Sequence, residues 1–453
     1  MYFNKQKYSI SVLSQRILGI FGNLRRKHRN MKNILVINGS PKGKYSVTLH
    51  TVLYLQKQFP EYNFEILHAS QNIKSLEKDF SPALEAIRKA DLLIFAYPVY
   101  TFLVPAQLHR FIELMHESGE DFSSKTATQI TTSKHFYDTT AHEFIRENCQ
   151  DLKMYTLEGL SADMDDILTE NGQTQAVKFF KYTLWQMGET FLTSFKPERQ
   201  PRIAVVTDYS EEDRSLIAKI ETFKKEALYP VDIINIREFP FKGSCISCFN
   251  CASDGECIYK DGFTDLLRNN IHSHNAIVYA FTIRNHSMGS LFKMYDDRQF
   301  CNGHRTVTMG TPFGYIIEGD IEKEQNLKTV LTARAQVGGN FLAGLACTDD
   351  QVFEMAHRLV YAISNQLVLP QNFLGVGGMK IFRDLIYLMR GMMRADHKFF
   401  KSHGQYDFPQ KKWATSMKMY LVGWLMGNKK LKSKMGNQLN EGMNSEYKKI
   451  LDK

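Results

Sequence analysis

Four of the seven cysteines fall within thirteen residues: Cys245, Cys248, Cys251 and Cys257, in the spacing C-x2-C-x2-C-x5-C. Four thiolates packed this closely can wrap a [4Fe–4S] cluster. They can also remain bare thiols or bind zinc, although zinc sites usually pair two separated knuckles. Spacing alone leaves these three outcomes open. Cys301 and Cys347 lack such spacing and read as small buried residues.

A second constellation lies near the start. An apolar run, Ile34 to Ile37, ends in Asn38-Gly39-Ser40-Pro41, and Leu49, Val52, Leu53 and Leu55 then follow a helical pattern. A strand, a tight loop and a helix start make a ready anion site, because free backbone N–H groups and the helix dipole face the loop. Ser46 and Thr48 offer hydroxyls and Lys42 a charge. The pattern is neither a P-loop nor G-x-G-x-x-G. It suits one terminal phosphate, as on FMN, at the first crossover of a doubly wound sheet. A plain βα turn would use the same residues, with Gly39 supplying a left-handed backbone and Ser46 capping the helix.

Two further loops belong to the same rim. Tyr97-Pro98-Val99-Tyr100-Thr101-Phe102 follows an apolar run and puts aromatic residues at a strand end. Such exposure makes sense when a flat aromatic ligand packs there. Thr131-Thr132-Ser133-Lys134-His135 adds small polar groups after the next strand.

Strands and helices must alternate to bring these loops together. Strand patterns fall at 33–38, 63–67, 92–97, 126–131 and 154–159, with helical patterns at 45–58, 81–89, 105–117, 139–150 and 173–190. The order implies a parallel sheet covered on both faces. Residues 193–201 carry two prolines and read as a linker. The pattern then restarts. Strands are expected at 203–206, 231–236, 276–281, 313–317 and 341–346, and helices at 211–227, 262–270, 288–299, 321–337 and 349–366. Where the first half has Gly39-Ser40-Pro41, the second has Thr207-Asp208-Tyr209-Ser210-Glu211-Glu212-Asp213. Its four carboxylates would repel a phosphate, so no FMN is expected there. Its third-strand loop, Thr282 to His286, is polar, and a lone loop histidine such as His286 is expected to be solvated.

The expected organisation is therefore α/β. A basic N-terminal extension (1–30) precedes a first doubly wound domain (31–192), a second, divergent domain with the cysteine loop (202–370) and a basic helical tail (371–453). The extension holds seven Lys/Arg and no acid. The tail holds sixteen Lys/Arg against six acids, nine of the 19 Met and two of the three Trp. The net charge of +9 thus sits at the ends, while the body is acidic, and no nucleic-acid-binding motif accompanies it. Nucleic acid is not an expected partner. The weakly amphipathic extension reads as an irregular segment, since Gly19 and Gly22 break its apolar face. In the tail, Leu385, Leu388, Met389 and Met392, and then Met417, Tyr420, Leu421, Trp424 and Leu425, recur at helical spacing. They are expected to pack on the domains or at a dimer interface. Weak contact of the basic ends, including Lys429, Lys430, Lys432 and Lys434, with an anionic membrane surface is the alternative. No stretch of 18 uncharged apolar residues suggests a transmembrane helix. The odd, clustered cysteines suggest reduced thiols and a cytoplasmic setting.

Gly39-Ser40-Pro41-Lys42 with Ser46 and Thr48, followed by Pro98-Val99-Tyr100 and Pro105-Ala106-Gln107-Leu108, resembles the NAD(P)H-dependent FMN reductase family of flavodoxin-like proteins, over residues 33–190. The resemblance implies two flavodoxin-like domains in the arrangement above. Ser40, Lys42, Ser46 and Thr48 would hold the FMN phosphate. Pro98, Val99 and Tyr100 would border the isoalloxazine, with Thr132 and Ser133 on the third loop. Lys42 stands where the family often has Arg, which keeps the charge and loses the bidentate fork. Thr282-Ile283-Arg284 and Phe373-Leu374-Gly375-Val376-Gly377-Gly378 resemble a two-domain branch with a Cys-rich loop and a helical tail, and the iron–sulfur flavoproteins that the family resembles share the C-x2-C-x2-C-x5-C spacing. The implied activity is electron transfer from NAD(P)H through FMN to a small-molecule acceptor: a quinone, a nitro compound or a flavin. Homodimers are common in that family. An electron carrier using FMN and a [4Fe–4S] cluster is the second reading, and a non-catalytic scaffold the third. The cofactor carries the chemistry, so no catalytic side chain is assigned.

Overall fold

In this computed structural model the described residues are 33–189, 199–408, 412–427, 441–442 and 444–452. The expectations for the 1–30 extension and for linker residues 193–198 lie outside them. The chain divides into two compact units, Met1–Thr193 with Asn437–Lys453, and Ser194–Gly436.

In the first unit, strands β1 (Asn33–Asn38), β2 (Asn63–Leu67), β3 (Leu92–Pro98), β4 (Thr126–Ser133) and β5 (Tyr155–Thr156) form a sheet in the order β2-β1-β3-β4-β5, with β6 (Leu160–Asp163) also beside β4. Every pairing is parallel. Parallel strands need helical crossovers that cover both faces, so the central strands are apolar without alternation. Ile34 to Ile37 and Leu92 to Tyr97 are accordingly all buried. The main crossover helices are α1 (Val47–Gln58), α2 (Ser81–Lys89), α3 (Ala106–Glu117) and α4 (Asp138–Asp151), and α5 (Glu170–Gln186) follows the last strand. Helix α3 buries Leu108, Phe111, Ile112 and Met115, the three-and-four spacing of a helix face against a sheet.

The edge strand departs from the sequence reading. The expected strand at 154–159 is two pieces: β5 pairs at Thr126 and Ala127, and β6 resumes at Ile130. Between them Thr128 Oγ1 donates to Glu158 O, at 2.8 Å. A side chain at Gly159 would meet Gln129 Cγ at 2.4 Å, so glycine lets this kink close.

The second unit repeats the plan. Strands β7 (Ile203–Thr207), β8 (Val231–Asn235), β9 (Ala276–Thr282), β10 (Phe313–Glu318) and β11 (Leu342–Ala346) run β8-β7-β9-β10-β11, all parallel. Both sheets therefore have the 2-1-3-4-5 order of the flavodoxin-like fold. Helices α6 (Arg214–Glu226), α7 (Ser290–Arg298), α8 (Gln325–Val337) and α9 (Asp349–Asn365) flank the second sheet. The segment expected as a helix at 262–270 enters as one short turn and widens into a π-helix, Leu266–Ile271. Helix α8 starts four residues later than expected, after a 3-10 turn at Ile321–Lys323.

Beyond residue 370, helices α10 (Phe373–Leu388) and α11 (Arg394–Ser402) close around Ala252, Ile386, Met393 and Phe400, with Leu385 and Met389 against this cluster. Leu388 and Met392 are exposed, and so are Trp413, Met417, Met419, Tyr420, Leu421 and Trp424 of α12 (Trp413–Gly427). The helical residues 444–452 fall within the first unit. There Tyr447 Oη donates to Met164 O at 3.2 Å, and its ring lies 5.7 Å from that of His50.

Candidate functional site

The loop after β1 is shaped by Asn38. Its side-chain oxygen accepts from Ser40 N at 3.1 Å and its amide donates to Gly43 O at 3.2 Å. The left-handed residue of the loop is Gly43, at φ 52°. Gly39 keeps an ordinary backbone, which corrects the role read for it. A Cβ on Gly39 would stand 2.4 Å from Leu108 Cδ2, so glycine allows α3 to approach the end of β1. Ser46 is the N-cap of α1, and its Oγ accepts from Leu49 N at 3.3 Å. Its hydroxyl hydrogen can therefore still be donated to a ligand. No acidic residue occupies the first turn of α1, which keeps the positive end of the helix open to an anion.

Thr48 joins this loop to the third one. Its Oγ1 lies 2.6 Å from Thr132 Oγ1, both side chains being buried. Beyond Thr132, Ser133 Oγ accepts from His135 N at 2.9 Å, and His135 Nδ1 lies 2.9 Å from Asp138 Oδ2, which also receives the hydroxyl of Ser161. Lys134 pairs with Asp163 at 2.6 Å and Asp165 at 2.7 Å. Partial burial opposes its charge, yet the two carboxylates leave its pKa above the ordinary lysine value.

The middle loop is strained. Tyr100 and Leu103 exchange backbone hydrogen bonds of 2.8 and 3.1 Å around Thr101 and Phe102, which have φ of 47° and 72°. Two consecutive residues at positive φ make the kind of turn usually built from Asn-Gly. Here the outcome is to present Tyr100 and Phe102 outward. Phe102, Phe136 and Tyr137 form an exposed cluster with ring centroids 4.8–5.4 Å apart.

The nine residues singled out in the sequence, Ser40, Lys42, Ser46, Thr48, Pro98, Val99, Tyr100, Thr132 and Ser133, all line one cavity of about 250 Å³. Val47, Thr101, Phe102, Lys134, Phe136 and Met164 complete it. The cavity lies at the carboxyl ends of β1, β3 and β4, where the strand order reverses. Its chemistry fits FMN: hydroxyls and an uncovered helix N-terminus at one end, exposed aromatic rings at the other. Sequence reasoning missed Phe136, which followed a polar run without a pattern, and Met164, which the kinked edge strand delivers.

The equivalent place in the second unit is occupied by the protein itself. The Asp213 carboxylate accepts from Ser210 N at 2.8 Å, Ser210 Oγ at 2.9 Å, Thr282 Oγ1 at 3.1 Å and Arg284 Nη2 at 3.0 Å. Burial opposes its ionisation, but these bonds hold its pKa below the usual aspartate value. Asp208 is also buried, and there burial outweighs the pull of Arg237 and Arg284, raising its pKa to about 6. The turn after β9 repeats the strained turn after β3. Arg284 and Ser287 exchange backbone bonds of 2.8 and 3.1 Å around Asn285 and His286, at φ 48° and 62°. His286 is exposed and pairs with Glu324, at 2.9 Å.

Cys245, Cys248, Cys251 and Cys257 also share a cavity, of about 330 Å³, with Cys301 on its wall. Cys248 is exposed, while the other three of the motif are partly buried. Their loop is pinned from behind. Arg298 and Asp261, both 1% exposed in their side chains, form a two-pronged ion pair, and Arg298 also donates to Gly243 O at 2.8 Å. Arg305 Nη1 donates to Cys251 O at 3.0 Å. Among the described residues, no three His, Cys, Asp or Glu side chains are placed to hold a metal ion. The thiols line a hollow rather than converging on one point, so the arrangement does not match a single zinc ion and gives no support to a [4Fe–4S] cluster. Cys301, read as an ordinary buried residue, is buried, and burial pushes its thiol to about 11.

No curated protein matches the sequence. Among solved structures, the chain is similar to the Trp repressor binding protein from Bacillus subtilis, with 20% identity over 32% of this chain and 96% of that one and a TM-score of 0.26. It is similar to an FMN-dependent NADH-azoreductase from Bacillus anthracis str. Ames Ancestor in complex with FMN, with 12% identity over 35% and 100% of the two chains and a TM-score of 0.27. It is also similar to an NAD(P)H:quinone oxidoreductase from Methanothermobacter marburgensis, with 12% identity over 33% and 94% and a TM-score of 0.28. The family model of NADPH-dependent FMN reductase matches residues 31–164. That span holds all three loops of the cavity.

Proposed function

We propose that the protein is an NAD(P)H-dependent FMN oxidoreductase with one flavin per chain, bound in the first unit. The observation that carries this reading is the convergence of phosphate-type and ring-type residues on one cavity, at the switch point of a family-matched domain. FMN would supply hydride acceptance from a nicotinamide and onward electron transfer. Ser40, Ser46 and Thr48 would donate to its phosphate, and Lys42 would add charge from the exposed side. Pro98, Val99 and Tyr100 would border the ring, with Thr132 and Ser133 facing it from the third loop. Phe102 and Phe136 would flank the opening through which a nicotinamide and then a flat acceptor, such as a quinone, nitro compound or flavin, would reach it.

The second unit supports a single site. A phosphate there would meet a carboxylate already holding the available donors, next to a second buried acid. The iron–sulfur electron carrier finds no support in the cysteine cavity.

The test is a titration with FMN and with riboflavin, followed by flavin fluorescence. Ser46→Ala with Thr48→Ala should weaken FMN binding roughly a hundredfold, at about 1.5 kcal/mol per hydrogen bond to a charged group. Riboflavin, which lacks the phosphate, should be affected far less. Asp208→Ala should leave FMN affinity unchanged. Equal losses in the two variants would exclude a site confined to the first unit.

A further inference from the structure

Among the described residues, helix α12 carries a concentration of exposed large apolar side chains. Trp413, Met417, Tyr420, Leu421 and Trp424 are 60–78% exposed. They stand at positions zero, four, seven, eight and eleven of the helix, and so fall on one face, while Met419, also exposed, stands on another. Exposed apolar surface of this extent marks a place that something covers. From Phe408 to Asn440 the sequence has seven lysines (Lys411, Lys412, Lys418, Lys429, Lys430, Lys432 and Lys434) and no acid. Lys411 and the last four lie outside the described residues and enter only as charge. Fifteen helical residues span about 22 Å, short of the roughly 30 Å of a bilayer's hydrocarbon core. Among the described residues no helix is long and apolar enough to cross a membrane.

We propose that α12 lies in the surface of an anionic bilayer, with its tryptophan face among the acyl chains and the neighbouring lysines on the headgroups. Charge selects this occupant. In a symmetric pair of copies the same uniformly cationic segment would face itself, and like charges brought together oppose the contact. An anionic surface complements both the lysines and the apolar face. Tryptophan and tyrosine suit the boundary between headgroup and chain. Attachment of this kind would hold the reductase beside acceptors that dissolve in the bilayer. The binding itself does not depend on the flavin reading.

Full-length protein is sedimented with vesicles of phosphatidylcholine alone or with about one-third phosphatidylglycerol. The expected result is about tenfold stronger binding to the anionic vesicles, declining as salt is raised. Trp413→Ser with Trp424→Ser should abolish binding while far-UV circular dichroism stays that of the parent. Lys411, Lys412, Lys429 and Lys430 changed together to Gln should erase the preference for anionic vesicles. This second variant carries the test should the first misfold. Absence of vesicle binding, or equal binding to both lipid compositions, overturns the proposal. So does a dimer that the tryptophan variant disperses and that forms without any vesicle binding, because a second copy would then cover the helix.

Discussion

Single residues decide which half of the molecule can take an anion. Thr207 to Asp213 reads in sequence as four equivalent carboxylates, and the fold makes them unequal. Glu211 and Glu212 are exposed, Asp213 is ionised and surrounded by donors, and Asp208 is buried with a pKa near 6. Solvent access and donor geometry set these differences, and neither is written in residue type. The Asp208 shift has a sign that can be tested. A carboxyl raised in the folded state holds its proton longer than in the unfolded chain, so its contribution is full below about pH 4 and is lost as pH rises through 6. Asp208→Asn should therefore match the parent in urea unfolding at pH 4. At pH 7 it should be more stable, by up to about 3 kcal/mol. Equal stability at both pH values would show that the buried carboxyl carries no such penalty.

At the scale of elements, the strand-loop-helix order was legible because continuous apolar strands and three-and-four helix faces are strong patterns. All nine proposed flavin contacts arrive at one cavity for the same reason, since strand ends fix where loops meet. The kinked edge strand was not legible, because a bulge depends on the partner strand and on the space beside Gly159. Nor were the strained turns, because Thr101 and Phe102 are poor left-handed residues, held there by the reciprocal bonds of Tyr100 and Leu103. The recurrence of that turn at Arg284–Ser287 relates the two halves where their sequences do not. Gly39 was read for its backbone freedom, and its constraint proves to be the contact between β1 and α3. Gly39→Ala should cost about 1–3 kcal/mol by overpacking. Adding Leu108→Ala should cost less than the sum of the two single changes, in a denaturant double-mutant cycle. Additive effects would place the strain elsewhere.

At the scale of the whole chain, two similar sheets carry different equipment. One keeps an open helix N-terminus bordered by hydroxyls and aromatic rings, and the other fills the same place with its own carboxylate and adds a thiol-lined hollow. The sequence reads residues 371–453 as one helical tail. In the structure α10 and α11 pack beside the cysteine loop, α12 is exposed, and Tyr447 reaches Met164 at the edge of the proposed flavin cavity. Such long-range returns leave no local pattern. The central claim is one flavin per chain, held through its phosphate by the loop at residues 39–48. The most direct measurement is the FMN stoichiometry of purified full-length protein, with Ser46→Ala/Thr48→Ala titrated beside it. The account predicts one equivalent bound by the parent and strongly weakened binding in the variant. A second equivalent, or a variant that binds FMN as the parent does, would contradict it.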